Sequence, residues 1–84
     1  MANGVSKRDR WLDELEMFLM RSLGEEGTPV FDVRWFLLRV KDTKDYRGQI
    51  RDASFRDLSK DLVGLDEEYP SFLPAHLLAP PEEE

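Results

Sequence analysis

The 84-residue chain contains no cysteine and only one histidine, His76. The absence of cysteine excludes a disulfide framework, a thiol nucleophile and a zinc site built on thiolates, and it fits a reducing cytosol. No stretch reaches the roughly 20 apolar residues that a membrane-spanning helix needs, and the first ten residues lack the apolar core of a signal peptide. We therefore expect a cytoplasmic protein that does not enter a membrane.

Catalytic and metal-binding motifs are also scarce. His76 lies in a proline-rich segment without a serine or cysteine nucleophile signature, and we interpret it as incidental. Residues 66–68 are three consecutive acids, but their spacing does not fit an EF-hand loop, and solvated surface acids are the simpler interpretation. A chain of this length forms one small core without an enclosed active-site cavity. We expect no catalysis, no cofactor, no metal and no small-molecule ligand.

Charge is unevenly distributed along the chain, whose formal net charge is −6. Residues 34–60 carry eight bases against four acids, whereas residues 61–84 carry seven acids and no base. Residues 1–33 are also acidic, with seven acids against four bases. The sequence thus has a basic middle between two acidic flanks.

The segment 28–41, TPVFDVRWFLLRVK, is the most apolar window of the chain, with eight large apolar residues among fourteen. Thr28 and Pro29 suit an N-cap and the first position of a helix. A helix is the favoured interpretation, although aromatic and β-branched residues that alternate are also typical of a strand. In a compromise, Val30 and Phe31 are extended and Asp32 caps a shorter helix.

A first amphipathic helix is predicted before this segment. Ser6 and Asp9 resemble a capping box, and Gly24 is a natural stop. Met17 and Met20 would widen the apolar stripe. That stripe consists of residues three and four positions apart: Trp11, Leu12, Leu15, Phe18, Leu19 and Leu23.

A third, short helix follows a polar loop at 42–53. Ser54 and Asp57 repeat the capping pattern, and Phe55, Leu58 and Leu62 form an apolar face that ends near Gly64. Prolines at 70, 74, 80 and 81 exclude a long helix or central strand beyond it. We predict a mainly α, compact three-helix domain over residues 6–65, a disordered N-terminus at 1–5, and a proline-rich acidic tail at 66–84 that packs on the domain or on a partner.

The order of these elements is similar to that of winged-helix domains, and most resembles the LOTUS, or OST-HTH, type. The matching residues span about 11–65; Tyr46 and Gly48 lie farther ahead of Ser54 than in that pattern, and no clear two-stranded wing follows Leu65. The resemblance implies a winged-helix-like fold and binding to RNA or to protein. It is carried by ordinary helix and core residues: Asp32, Val33, Leu37, Leu38, Ser54, Phe55 and Leu58.

Two binding functions follow from these patterns. The favoured one is a regulatory protein–protein interaction module, or a self-associating one, because segment 28–40 is apolar nearly all round and has the residue types of interface hot spots. Its candidate residues are Arg34, Trp35, Phe36 and Arg39. The alternative is a nucleic-acid-binding helix-turn-helix-like domain, with Tyr46 or Phe55 stacking on bases. Its candidate residues are Tyr46, Arg47, Arg51, Arg56 and Lys60.

Overall fold

The chain folds into three α-helices that share one core, as predicted. The computed structural model describes residues 6–44 and 47–81. Helix α1 spans Lys7–Ser22, α2 spans Val30–Thr43 and α3 spans Asp52–Glu68, and a short 3₁₀ helix follows at Ala75–Leu77. Helix α2 packs against both α1 and α3, and the 3₁₀ helix packs on α1. The predicted disorder at 1–5 lies outside the described residues.

Helix α1 begins as the sequence predicts. The hydroxyl of Ser6 accepts a hydrogen bond from the backbone N–H of Asp9 at 3.0 Å, which confirms Ser6 as the N-cap. Trp11, Leu12, Leu15 and Leu19 are buried on one face. Met17 and Met20 do not widen that face, because 59% of each is exposed on the far side of the helix.

Segment 30–43 is helical throughout, so the strand interpretation is wrong. The compromise is wrong as well, because the helix already includes Val30 and Phe31. Pro29 rather than Thr28 occupies the N-cap position, and it forms no side-chain capping bond. Thr28 instead donates its hydroxyl to the carbonyl of Ser22 at 2.7 Å, which closes the turn between α1 and α2.

Helix α3 is longer than predicted at both ends. It begins at Asp52, so Ser54 lies inside the first turn and is not the cap. The backbone N–H of Arg51 donates to the carbonyl of Thr43 at 2.8 Å, which holds the chain extended up to the start of the helix. The helix continues past Gly64 because Leu65 adds another buried position to the apolar face. The predicted domain boundary at 65 therefore falls inside a helix that ends at Glu68.

The connection between α2 and α3 contains one isolated antiparallel bridge, between Lys44 and Ile50. Residues 6–44 and 47–81 contain no β-strand, so a two-stranded wing is absent from them. The likeness to winged-helix domains consequently depends on the helices alone.

The core is a single cluster to which every helix contributes. Leu73 and Leu77, from the segment after α3, are 4% and 1% exposed and belong to this cluster. The segment 69–78 thus packs on the helices of the same chain through Tyr69, Phe72, Leu73, Leu77 and Leu78, and residues 82–84 lie outside the described residues. The other buried apolar members are Trp11, Leu12, Leu15, Leu19, Val33, Phe36, Val40, Phe55, Leu58, Leu62 and Leu65.

Candidate docking surface

Helix α2 presents an apolar stripe to solvent. Phe31, Trp35 and Leu38 recur at spacings of four and three residues, so they share the face opposite the core. Their exposed fractions are 88%, 47% and 62%. A single exposed apolar residue is normal, but three adjacent ones on one helix form a patch of the kind that marks an interaction site.

Beside this apolar stripe, an open groove of about 670 Å³ lies between α2 and α3. Phe31 and Trp35 form its α2 wall, and the buried side chains of Phe36 and Leu65 also line it. We call this feature the α2–α3 groove. The apolar stripe and the groove share Phe31 and Trp35, so they form one continuous apolar surface.

Gly64 opens the α3 side of the groove. It lies in the interior of the helix, where glycine costs about 1 kcal/mol relative to alanine. A Cβ atom at this position would meet no atom within 4 Å beyond its chain neighbours and the adjacent backbone of its own helix, so packing within the chain does not require glycine there. Gly64 lines the groove, and the absence of a side chain there leaves space in it.

The polar side chains that line the groove, within the described part of the chain, are the acids Asp32, Asp61 and Glu68. Asp61 and Glu68 lie two turns apart on α3, and Asp32 lies on α2. We call these three residues the acidic rim. A hydrogen bond with Asp32, together with burial and the charges of Asp32 and Glu68, raises the pKa of Tyr69. Asp32 at the start of α2 thus lies near Tyr69, the residue that follows α3.

The four residues predicted to bind a partner differ in their exposure to solvent. Arg34 and Trp35 are exposed on α2. Phe36 is only 4% exposed, because its position on the helix points into the core, so it contributes to the groove from beneath. Arg39 is partly buried, and its guanidinium carbon lies 5.5 Å from the centroid of the Trp35 ring, where it helps to hold the indole in place.

The residues of the nucleic-acid alternative are more scattered. Arg47, Arg51, Arg56 and Lys60 are all exposed, and Tyr46 lies outside the described residues. Phe55 cannot stack on a base, because its ring is 4% exposed and lies beneath the guanidinium of Arg8 at 4.5 Å. Arg56 and Lys60 occupy successive turns of α3, and the acids Asp52, Asp57 and Asp61 occupy the same helix.

Sequence reasoning did not identify Phe31, Leu38 or the acidic rim as parts of a binding surface. The signal for the first two was present: they continue the spacing of Trp35 on the face opposite Val33, Phe36 and Val40. The rim had no comparable signal, because Asp32 and Asp61 are distant in sequence and line the same groove only when α2 packs on α3.

The described residues contain no group of three or more histidine, cysteine, aspartate or glutamate side chains that could hold a metal ion. Within the same ranges, none of the helices combines the length and apolar character needed to cross a bilayer. Comparison of the chain with models of protein families, with curated proteins and with solved structures finds no match in any of the three.

Proposed function

We propose that this protein is a non-catalytic interaction module that binds another protein through the apolar stripe and the α2–α3 groove. The exposure of Phe31, Trp35 and Leu38 on one face of α2 carries the proposal. Burying such surface is the main source of affinity in protein association, and Trp is among the residues enriched at hot spots. Arg34 and the Arg39–Trp35 pair lie on the same helix and would frame the contact.

Gly64 supports this assignment independently. A glycine in a helix interior lowers stability, and residues that break a local rule without a structural benefit are concentrated at functional sites. Here the benefit is space in the α2–α3 groove, which a partner side chain would fill.

Site-specific cross-linking tests the proposed function. Leu38 is replaced with the photoreactive benzoylphenylalanine in one variant and Val63 in another, and each is irradiated in extract from cells that make the protein. Val63 is a matched control, because it is 52% exposed on α3 and does not line the groove. We expect an adduct of defined mass from position 38 alone, and we expect Leu38→Ser, but not Val63→Ser, to weaken binding of the purified partner.

Adducts at both positions, or at neither, would contradict the proposal. Circular dichroism provides the folding control, because both substituted side chains are exposed and the helical signal should not change.

A second candidate function is nucleic-acid binding through α3. The observation that favours it is the exposure of Arg56 and Lys60 on successive turns, with Arg51 exposed just before the helix. Such binding would weaken steeply with salt, because it releases counterions from the phosphates. Anisotropy of labelled RNA and duplex DNA at low salt tests it: the candidate requires binding that Arg56→Glu with Lys60→Glu removes, and no binding at tens of micromolar protein excludes it.

A further inference from the structure

The α2–α3 groove has one sign of charge. Among the described residues, its lining includes the three carboxylates of the acidic rim and no basic residue. The base one turn beyond Trp35 on α2 is Arg39, which is held against the Trp35 ring and does not line the groove. A ligand that fills this groove therefore meets apolar walls between carboxylates.

The end of α3 next to the groove is electrostatically unfavourable on its own. Asp66, Glu67 and Glu68 form its last residues, and the last turn contains no base. The C-terminus of a helix carries partial negative charge, so acids there destabilise the helix and cations stabilise it. A positively charged partner beside Glu68 would relieve this repulsion, whereas an acidic one would increase it.

Other occupants fit this charge less well. A second copy of the chain carries the same net charge of −6 and is repelled at long range, and so is a nucleic acid. The glutamates at 82–84 have the same sign of charge as the rim. The partner that complements the surface is thus a basic segment of a different protein.

We infer that the α2–α3 groove binds a basic amphipathic helix, whose apolar side chains enter the groove at Gly64 while its Lys or Arg side chains pair with Asp32, Asp61 and Glu68. This inference rests on the proposed function and specifies its partner. An amphipathic helix in an apolar groove is a recurrent recognition mode that uses anchors at i, i+3 or i+4, and i+7. The apolar stripe matches that length, since Phe31 and Leu38 are separated by about 10 Å of helix axis.

A phage-displayed library of random 16-residue peptides, selected on the purified full chain, tests the inference. We expect selected peptides to combine large apolar residues at helical spacing with an excess of Lys and Arg. Their synthetic versions should lose at least about tenfold in affinity when salt is raised from 0.05 to 0.5 M, because screening weakens charge pairs at an exposed rim.

Two charge variants separate local pairing from the overall charge. Asp61→Asn with Glu68→Gln alters the acidic rim, and Asp57→Asn with Glu67→Gln removes two exposed acids of α3 that do not line the groove. Both changes raise the net charge by two. We expect the rim variant to weaken peptide binding about tenfold or more and the control variant to change it by less than about threefold.

The outcomes distinguish this inference from the proposed function. Selected peptides that are neutral or acidic, yet lose binding with Leu38→Ser, would overturn the basic partner and leave the docking surface in place. Failure to select any peptide that depends on Leu38 would overturn both. A dimer of the chain at low salt that Leu38→Ser dissociates would assign the surface to a second copy and would also overturn the inference.

Discussion

Two leucines show how strongly position decides the role of a side chain. Leu58 is fully buried in α3, whereas Leu38 is 62% exposed on α2. Leu58→Ala removes buried methyl groups and leaves a cavity, so it should lower the free energy of unfolding by about 2–5 kcal/mol. Leu38→Ala should change it by no more than about 0.5 kcal/mol, because the side chain contributes little to the core.

Urea denaturation of both variants measures these values. Equal losses of stability would mean that Leu38 is covered within the folded chain and would remove it from the docking surface. Peptide affinity should respond in the opposite order, with Leu38→Ala more damaging than Leu58→Ala at temperatures where both variants remain folded.

Lys44 joins the loop after α2 to α1 by pairing with two aspartates. Its ammonium lies 3.0 Å from a carboxylate oxygen of Asp9 and 3.8 Å from one of Asp13. Burial raises the pKa of Asp9, but hydrogen bonds from Lys44 and Ser6 and the charge of Lys44 outweigh it, and the net pKa is lowered. The hydrogen bond to Asp9 is the main reason that the pKa of Lys44 is raised, against the effect of burial.

These shifts fix the sign of a pH dependence. The contribution of Asp9 is present above its ordinary pKa of 3.8 and is lost as pH falls through the lowered value. That of Lys44 is present below 10.5 and is lost as pH rises through the raised value. Lys44→Met should therefore cost about 1 kcal/mol or less near neutral pH and progressively less in acid.

Urea denaturation near pH 7 and near pH 2.5 checks this prediction. Lys60→Met is the control, because Lys60 is exposed on α3, outside this cluster. A cost for Lys44→Met that stays constant down to the lower pH would show that the aliphatic part of the side chain, and not its charge, stabilises the fold.

Across the three helices, apolar periodicity predicts which segments are helical better than capping residues predict where the helices begin. The spacing of Phe55, Leu58 and Leu62 predicted α3, and Leu65 extends it, but Ser54 did not mark its start. A side-chain cap is worth only about 1 kcal/mol. The Arg51–Thr43 backbone hydrogen bond, between residues of different elements, sets the start of α3 instead.

The docking surface was only partly predictable from the sequence, because it too depends on contacts between different helices. With eight large apolar residues in segment 28–41, the sequence shows that α2 has too much apolar surface for one core contact. Which side remains uncovered depends on how α1 and α3 approach. Phe36 and Phe31 are the same residue type, yet the first is 4% exposed and the second 88%.

The same substitution, glycine to alanine, should have opposite effects on stability in helix α3 and in the turn before α2. Gly64→Ala should raise the free energy of unfolding by about 0.5–1 kcal/mol, because alanine is the better helix residue and its Cβ has room. Gly27→Ala should lower stability, because Gly27 has φ of +80° in the turn before α2 and a Cβ is strained there.

Thermal melts followed by circular dichroism measure the direction of the stability change in each of the two variants. The Gly64→Ala variant should also bind groove-dependent peptides more weakly, since its methyl group enters the groove. A variant that gains stability and keeps full affinity would show that the groove does not need the space at Gly64.

Because the chain is small, its hydrophobic core is small as well, since a domain of about 60 residues buries only about 60% of the surface that its unfolded chain exposes. The segment after α3 therefore matters to the fold. Leu77 reaches the core from the 3₁₀ helix packed on α1, Leu73 enters it just before that helix, and the ring of Phe72 meets Phe18 edge to face at 5.4 Å. The sequence left two roles for this segment, packing within the chain or docking on a partner.

Deletion of residues 70–84 separates these roles. Loss of each buried leucine costs about 2–5 kcal/mol in core truncations, and small domains have only about 5–15 kcal/mol in total. The truncated chain should therefore lose its cooperative melt, whereas deletion of 79–84 keeps Leu73 and Leu77 and should melt close to the full chain. If the larger deletion instead melted like the full chain, the leucines would be dispensable to the fold, and the apolar surface they cover would become a second place for a partner to bind.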